Sequence, residues 1–203
     1  MTVFYHVNDL PADVALGPVV AIDSETMGLK LHRDRLCVIQ LSDGNGDAHV
    51  VHFPGPSWNA PNLVRLFADP KVVKLFHFAR FDLAMIRRHL GVRCAPVFCT
   101  KVASKLTRTN TDSHSLKTLC KEFLGIDLSK VQQSSDWGAA SLSQDQLAYA
   151  ASDVLYLHQL KERFETLLDR EGRRALAEAC FAFLPDRAEL DLAGWEEEDI
   201  FAH

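Results

Sequence analysis

The chain has 203 residues, 47% of them hydrophobic, with 22 Lys plus Arg against 27 Asp plus Glu and a formal net charge of −5. That length and apolar content predict a single domain with one sizeable core, and the negative balance argues against a protein that coats a long polyanion. No apolar run is long enough to cross a bilayer, and the N-terminus lacks a basic region followed by a hydrophobic one, so a cytoplasmic location is expected.

In chain order, Phe4 to Val7 reads as a short strand and Asn8 to Gly17 as a Pro-containing loop. Val19-Val20-Ala21-Ile22 is an apolar run that leads straight into Asp23-Ser24-Glu25, the pattern of a buried strand ending in two carboxylates. Side chains alternate along a strand, so Asp23 and Glu25 project to one side. Two acids this close repel and need a cation, a shared proton or open water; a divalent metal is the most economical partner. Taken alone, an Asp-x-Glu is more often a strand end that turns acidic at the surface. Gly28 is expected to permit a sharp turn after it. Arg35 to Leu41 is a second strand, Asp43 to Asp47 a hairpin turn, and Ala48 to Phe53 the returning strand, so three antiparallel strands are expected here. Pro61 starts a helix through Phe67.

Lys71 to Phe78 reads as another buried strand and Arg80 to Leu90 as a helix stopped by Gly91. Strand alternating with helix predicts a mixed sheet with crossover helices, in which ligands gather at the carboxyl ends of strands. Asp82 lies just after one such end and Asp23 at another, although an acid near a helix start also suits the helix dipole. Val97 to Cys99 is a short strand, followed by helical Lys101 to Thr107, a polar break, and a helix in which Leu116, Leu119, Cys120 and Phe123 recur as core positions up to Gly125. Ile126 to Ala140 is an irregular polar loop. Ser143 and Gln146 form a capping box, so a helix begins there and is expected to run unbroken through Tyr156 toward Leu168. It carries Tyr149 and Asp153 one turn apart on a single face.

The basic residues Lys101, Lys105, Arg108, Lys117, Lys121 and Lys130 outnumber the acids among them, whereas the C-terminal end is acidic. A local positive patch on an acidic protein suits a short anionic ligand, or is simply a solvated face. The five cysteines, Cys37, Cys94, Cys99, Cys120 and Cys180, are odd in number and lack a Cys-x-x-Cys pair, which favours buried free thiols.

The series Ile22-Asp23-Ser24-Glu25-Thr26-Met27-Gly28-Leu29, His77-Phe78-Ala79-Arg80-Phe81-Asp82 and Tyr149-Ala150-Ala151-Ser152-Asp153 resembles the three motifs of the DEDDy 3′-to-5′ exonucleases. That family usually has Thr where Ser24 stands, which leaves both carboxylates in place. Within it the chain is similar to ribonuclease D and more closely to the short nano-RNase C oligoribonucleases, on His32-Arg33-Asp34-Arg35-Leu36, Phe98-Cys99-Thr100-Lys101, Ser104-Lys105-Leu106-Thr107-Arg108, Gln132-Gln133-Ser134-Ser135-Asp136-Trp137 and Asp199-Ile200-Phe201-Ala202-His203. The resemblance implies an α/β ribonuclease H-like fold, with a mixed sheet of five or six strands flanked by helices, and no additional C-terminal helical domain. It implies hydrolysis of short oligoribonucleotides, dinucleotides included, to nucleoside 5′-monophosphates.

The cofactors would be two divalent cations, Mg²⁺ or Mn²⁺, as oxygen-only ligation favours. One would lie on Asp23, Glu25 and Asp153, the other on Asp23 and, directly or through water, Asp82. Tyr149 would orient or deprotonate the attacking water. Substrate contacts are implied for Thr26, Met27, Gly28, Leu29, His77, Lys105, Arg108, Gln133 and Ser135, with Leu29 wedged against the terminal bases; ordinary core packing is the other reading of Met27 and Leu29. A homo-octameric ring is implied too, with Leu192, Trp195, Ile200 and Phe201 of the acidic ending as interface residues, against the alternative of a tail docked on its own domain. Two other functions fit the fold: ribonuclease D-like trimming of structured RNA, which would need a continuous basic track, and a silent nucleic-acid-binding scaffold, whose signature would be loss of a metal carboxylate.

Overall fold

The structure, a computed structural model, describes residues 2–129 and 131–203; Lys130 of the basic stretch lies outside them. Six strands, β1 (Val3–Val7), β2 (Val19–Thr26), β3 (Leu36–Ser42), β4 (Ala48–His52), β5 (Val73–Phe76) and β6 (Val97–Cys99), form one sheet in the order β1-β4-β3-β2-β5-β6. The expected antiparallel trio is β2, β3 and β4, while β5 joins β2, β6 joins β5, and β1 joins β4, all in parallel. β3 is buried along its whole length, Gln40 and Ser42 included, because both faces of the sheet are covered.

One face packs on α1 (Pro61–Ala68), α2 (Ala79–Leu90) and the helices beyond them through Ile22, Ile39, Leu41 and Phe76. On the other, α5 (Gln144–Leu155) lays Leu147 and Ala150 over Val38 and Val50, with Trp137 filling the gap at 2% exposure. The capping box at Ser143 and Gln146 is formed on both sides. Four of the five cysteines are buried and all are free. Among the described residues no helix is long and apolar enough to cross a membrane.

Two of the differences from the sequence reading bear on the site, and a further one is a helix over Arg174–Leu190 that it did not expect. β5 stops at Phe76, two residues early, because Phe78 turns into the left-handed region at φ 68° and ψ 47° and begins α2. The long helix from Ser143 is two helices, broken at Tyr156 (φ −106°, ψ −3°), with α6 (Leu157–Arg170) following. The break lets Leu147, Ala150 and Val154 face the sheet while Phe164 of α6 meets Phe123 of α4 (Leu116–Leu124) at 5.4 Å between ring centres. No Pro or Gly marks it, so the apolar pattern reads as continuous.

After α3 (Thr100–Thr107) and α4, the chain ends in α7 (Arg174–Leu190) and a widened π-helical turn, Asp191–Trp195. Asp191 is 2% exposed, accepts from Arg80 of α2 (2.5 Å) and forms an ion pair with Arg187 (2.7 Å), and Leu192 packs against the core. The start of the acidic ending is therefore docked on its own domain. Trp195, Ile200 and Phe201 are exposed.

Candidate active site

β2 carries Asp23 and Glu25 on one side, opposite Gln40 and Val38 of β3, and its register slips between Glu25 and Thr26. The bulge falls just past the second carboxylate; pairing resumes at Thr26 with Leu36 and at the Met27 N–H with the Arg35 carbonyl, and the loop that carries Gly28 and Leu29 leaves the sheet from there. α5 crosses the same face and presents Tyr149 and Asp153 from consecutive turns. Carboxylate oxygens of Asp23, Glu25 and Asp153 lie within 4.8 Å of one another, a donor set of hard oxygens that could hold a divalent cation.

Without a counter-charge the cluster favours protons. Burial, then repulsion from Asp82, Asp153 and Glu25, raises Asp23 well above the carboxylate range. Burial and the Asp153 charge push Glu25 to about 9, and burial pushes Asp153 to about 7, opposed by the neighbouring Tyr149 hydroxyl. Tyr149 is itself raised, first by burial and then by the three acids, so its hydroxyl stays protonated beside Asp153. A metal would relieve all four groups at once.

Asp82 stands beside this cluster rather than in it. The left-handed Phe78 reverses the chain between β5 and α2, a conformation that costs a non-glycine residue roughly 1–3 kcal/mol. It places Asp82 in the first turn of α2, where the Ser24 hydroxyl donates to its Oδ1 at 2.5 Å. Burial lifts Asp82 to about 7 against the pull of that bond and of backbone N–H groups.

These groups floor a cleft of about 630 Å³ walled by Thr26, Met27, Gly28, Leu29, His77, Gln133 and Ser135, all expected in the sequence. Leu29 is 80% exposed at its rim and is no core residue. Gly28 is needed for space rather than for a turn: a Cβ there would overlap Oδ2 of Asp34. His77 is neutral, since burial and then the Lys101 charge hold it down at about 3, and its Nδ1 pairs with Thr100 Oγ1 at 2.9 Å.

Lys105 and Arg108 are not part of the wall. Each lies a turn or more farther along α3 than Lys101, and four residues of helix move a side chain about 6 Å. Arg108 is committed to the Ser113 carbonyl (2.7 Å) and to Glu122. The sequence reading missed Lys101, Phe78, Phe81, Ser115 and Lys117 as cleft residues. Lys101 follows the end of β6 as Asp82 follows β5, so the strand-end rule could have found it. Its Nζ sits 4.1 Å from the centre of the Phe78 ring.

Comparison with known proteins agrees with this geometry. A family model described as a 3′-5′ exonuclease matches residues 6–169. The whole chain superposes on NrnC of Brucella melitensis with bound Mg²⁺, at 57% identity and a TM-score of 0.95 over 100% of both chains. With the same protein bound to pGG the values are 58% and 0.96, over 100% of this chain and 99% of that one. Ribonuclease D of Acidiphilium cryptum (strain JF-5) is 36% identical over 160 residues, 79% of this chain and 40% of the relative. The chain spans about two fifths of the length of the ribonuclease D sequences it matches.

Proposed function

The chain belongs to the 3′-5′ exonuclease family, whose fold it has and whose members work with divalent metal, and from that premise we propose that it is a two-metal exoribonuclease that hydrolyses short oligoribonucleotides, dinucleotides included, to nucleoside 5′-monophosphates. The observation that carries this reading is the convergence of Asp23, Glu25 and Asp153 with Tyr149 on the floor of a cleft whose rim bears an exposed Leu29. Whole-length likeness to a protein solved with pGG supports the short substrate.

In this mechanism Asp23, Glu25 and Asp153 would hold one Mg²⁺ or Mn²⁺, and Asp23 with, directly or through water, Asp82 a second. Bound there, the ions would supply Lewis-acid neutralisation of the phosphate and lower the pKa of the attacking water. Tyr149, protonated beside Asp153, orients that water through its phenolic oxygen rather than acting as a free base. Ser24 keeps Asp82 aimed at the cleft. Leu29 and Met27 meet the terminal bases, the backbone near Thr26 the terminal sugar, and Gln133, Ser135 and neutral His77 offer hydrogen bonds to phosphate or ribose. Lys101 adds a cation at the cleft.

Trimming of long structured RNA is the weaker reading, because Lys117 and Lys121 pair with Asp127 and Arg108 with Glu122, which leaves no continuous basic track among the described residues. A homo-octamer enclosing the clefts is part of the proposal, supported by the exposure of Trp195, Ile200 and Phe201. The test is a timed digestion of 5′-labelled RNAs from the dinucleotide upward, with Mg²⁺ and with Mn²⁺. Dinucleotide should be consumed fastest at equal 3′-end concentration; preference for a long RNA would overturn the reading.

A further inference from the structure

The His32-Arg33-Asp34-Arg35-Leu36 segment has no part in the chemistry above, yet its polar groups converge on the loop that carries Leu29. Asp34 is 6% exposed, and its carboxylate accepts from the Lys30 N–H at 2.9 Å, while the Asp34 N–H returns to the Lys30 carbonyl at 2.8 Å. The same carboxylate lies against Gly28, where even a methyl group would displace it. Hydrogen bonds from Arg33, then the one from Lys30, hold Asp34 at about 2, so it is charged under all ordinary conditions.

From α2, Arg88 reaches over and donates to the Leu31 carbonyl, to that of His32 (2.6 Å) and to that of Asp34 (3.3 Å). Leu31 itself is buried in the core. At the far end, Arg35 accepts from the Met27 N–H through its carbonyl (3.1 Å), and its guanidinium donates to the carbonyls of Phe53 (2.8 Å) and Gly138 (3.1 Å). A loop whose tip is one exposed leucine is thereby held on both sides of that leucine. Exposed apolar side chains on untethered loops must be ordered when a ligand arrives, and that cost reduces affinity.

We propose that Arg88 and Asp34 are positioning residues that hold the Leu29 loop ready for the second nucleotide and so set the preference for dinucleotides over substrates with one base. The inference rests on the reading that Leu29 meets the bases. Arg88 touches neither metal ligands nor cleft wall, so its effect is confined to substrates that reach Leu29.

The experiment compares a 5′-phosphorylated dinucleotide with the p-nitrophenyl ester of a nucleoside 5′-monophosphate, which has one base, in Mg²⁺ with the full chain. R88A should raise KM for the dinucleotide roughly ten-fold, with kcat little changed and the ester within about two-fold of wild type. D34N, which keeps side-chain volume and an oxygen for the Lys30 N–H, should give a smaller shift of the same kind and serves if R88A does not fold. L29A should show the same split between substrates, and R88A added to L29A should do little more, because the two act through one contact. A split in L29A without one in R88A and D34N defeats this inference alone. Equal loss on both substrates in R88A also defeats it, as the mark of a general structural role. No split in L29A means that Leu29 does not reach the second base, and the inference falls with that reading.

Discussion

Replacing Asp153 by Asn should make the metal-free protein more stable while ending its hydrolysis. Burial raises Asp153 from 3.8 to about 7. The folded state therefore keeps a proton that the unfolded chain has released, and stability present at low pH is lost as pH rises from about 4 through about 7. At about 1.4 kcal/mol per unit of pH, the ionised carboxylate costs up to about 4 kcal/mol near pH 7.5 and about 2 kcal/mol at pH 5. Its charge also raises Asp23 and Glu25, and the Glu25 contribution extends the loss toward pH 9.

Asparagine has nearly the same volume, keeps an oxygen for the Tyr149 hydroxyl, and carries no charge, but its amide still pays for desolvation. A net gain of about 1–3 kcal/mol is expected, which for a chain of this size is a rise in Tm of about 3–10 °C. The assay is thermal denaturation in chelator at pH 5 and pH 8, repeated with Mg²⁺, alongside hydrolysis of a labelled dinucleotide. The gap between variant and wild type should be less than half as large at pH 5 as at pH 8, and Mg²⁺ should stabilise wild type much more than the variant. A metal-free variant that melts at or below wild type at pH 8, or one that still turns over with Mg²⁺, would refute the assignment of Asp153.

Tyr149→Phe keeps the ring and deletes the hydroxyl, so kcat should fall about 100-fold with KM little changed, as for a positioned proton-handling group; a KM effect alone would make Tyr149 a substrate contact. Trp137→Ala empties a site that is 2% exposed between the sheet and α5, and should cost about 3–5 kcal/mol in denaturant titration while loosening the Gln133 to Ser135 wall. A loss under about 1 kcal/mol would mean that the indole is not what holds the wall. Light scattering should report a mass several times 22.7 kDa, and deletion of Trp195 to His203 should lower it; a monomer in both forms would end the proposal of a ring.

Much of this molecule was legible in one dimension because its signals are local. The Val19 to Ile22 run made β2, its alternation put Asp23 and Glu25 on one side, the capping box began α5, and a spacing of four set Tyr149 above Asp153. Each of these depends only on the pitch of a strand or helix, which a sequence displays directly. Periodicity carries no information about where a helix must bend to reach a second partner, so the break at Tyr156 was invisible. Nor does it tell which turn of α3 meets the cleft, which separates Lys101 from Lys105.

The sequence by itself determined the six strands, the helices as far as the one that begins at Ser143, their order, and the acidic residues that could share an ion. Only the tertiary structure decided that Ser24 reaches Asp82, that Phe78 is left-handed, and that Gly28 must be small because Asp34 lies against it. It also decided that Arg88, 54 to 57 residues away, holds the Leu29 loop. The physical reason is range: pitch and propensity act within a turn or two of chain, whereas steric fit and hydrogen bonds between distant segments exist only once the sheet and its helices have brought them together.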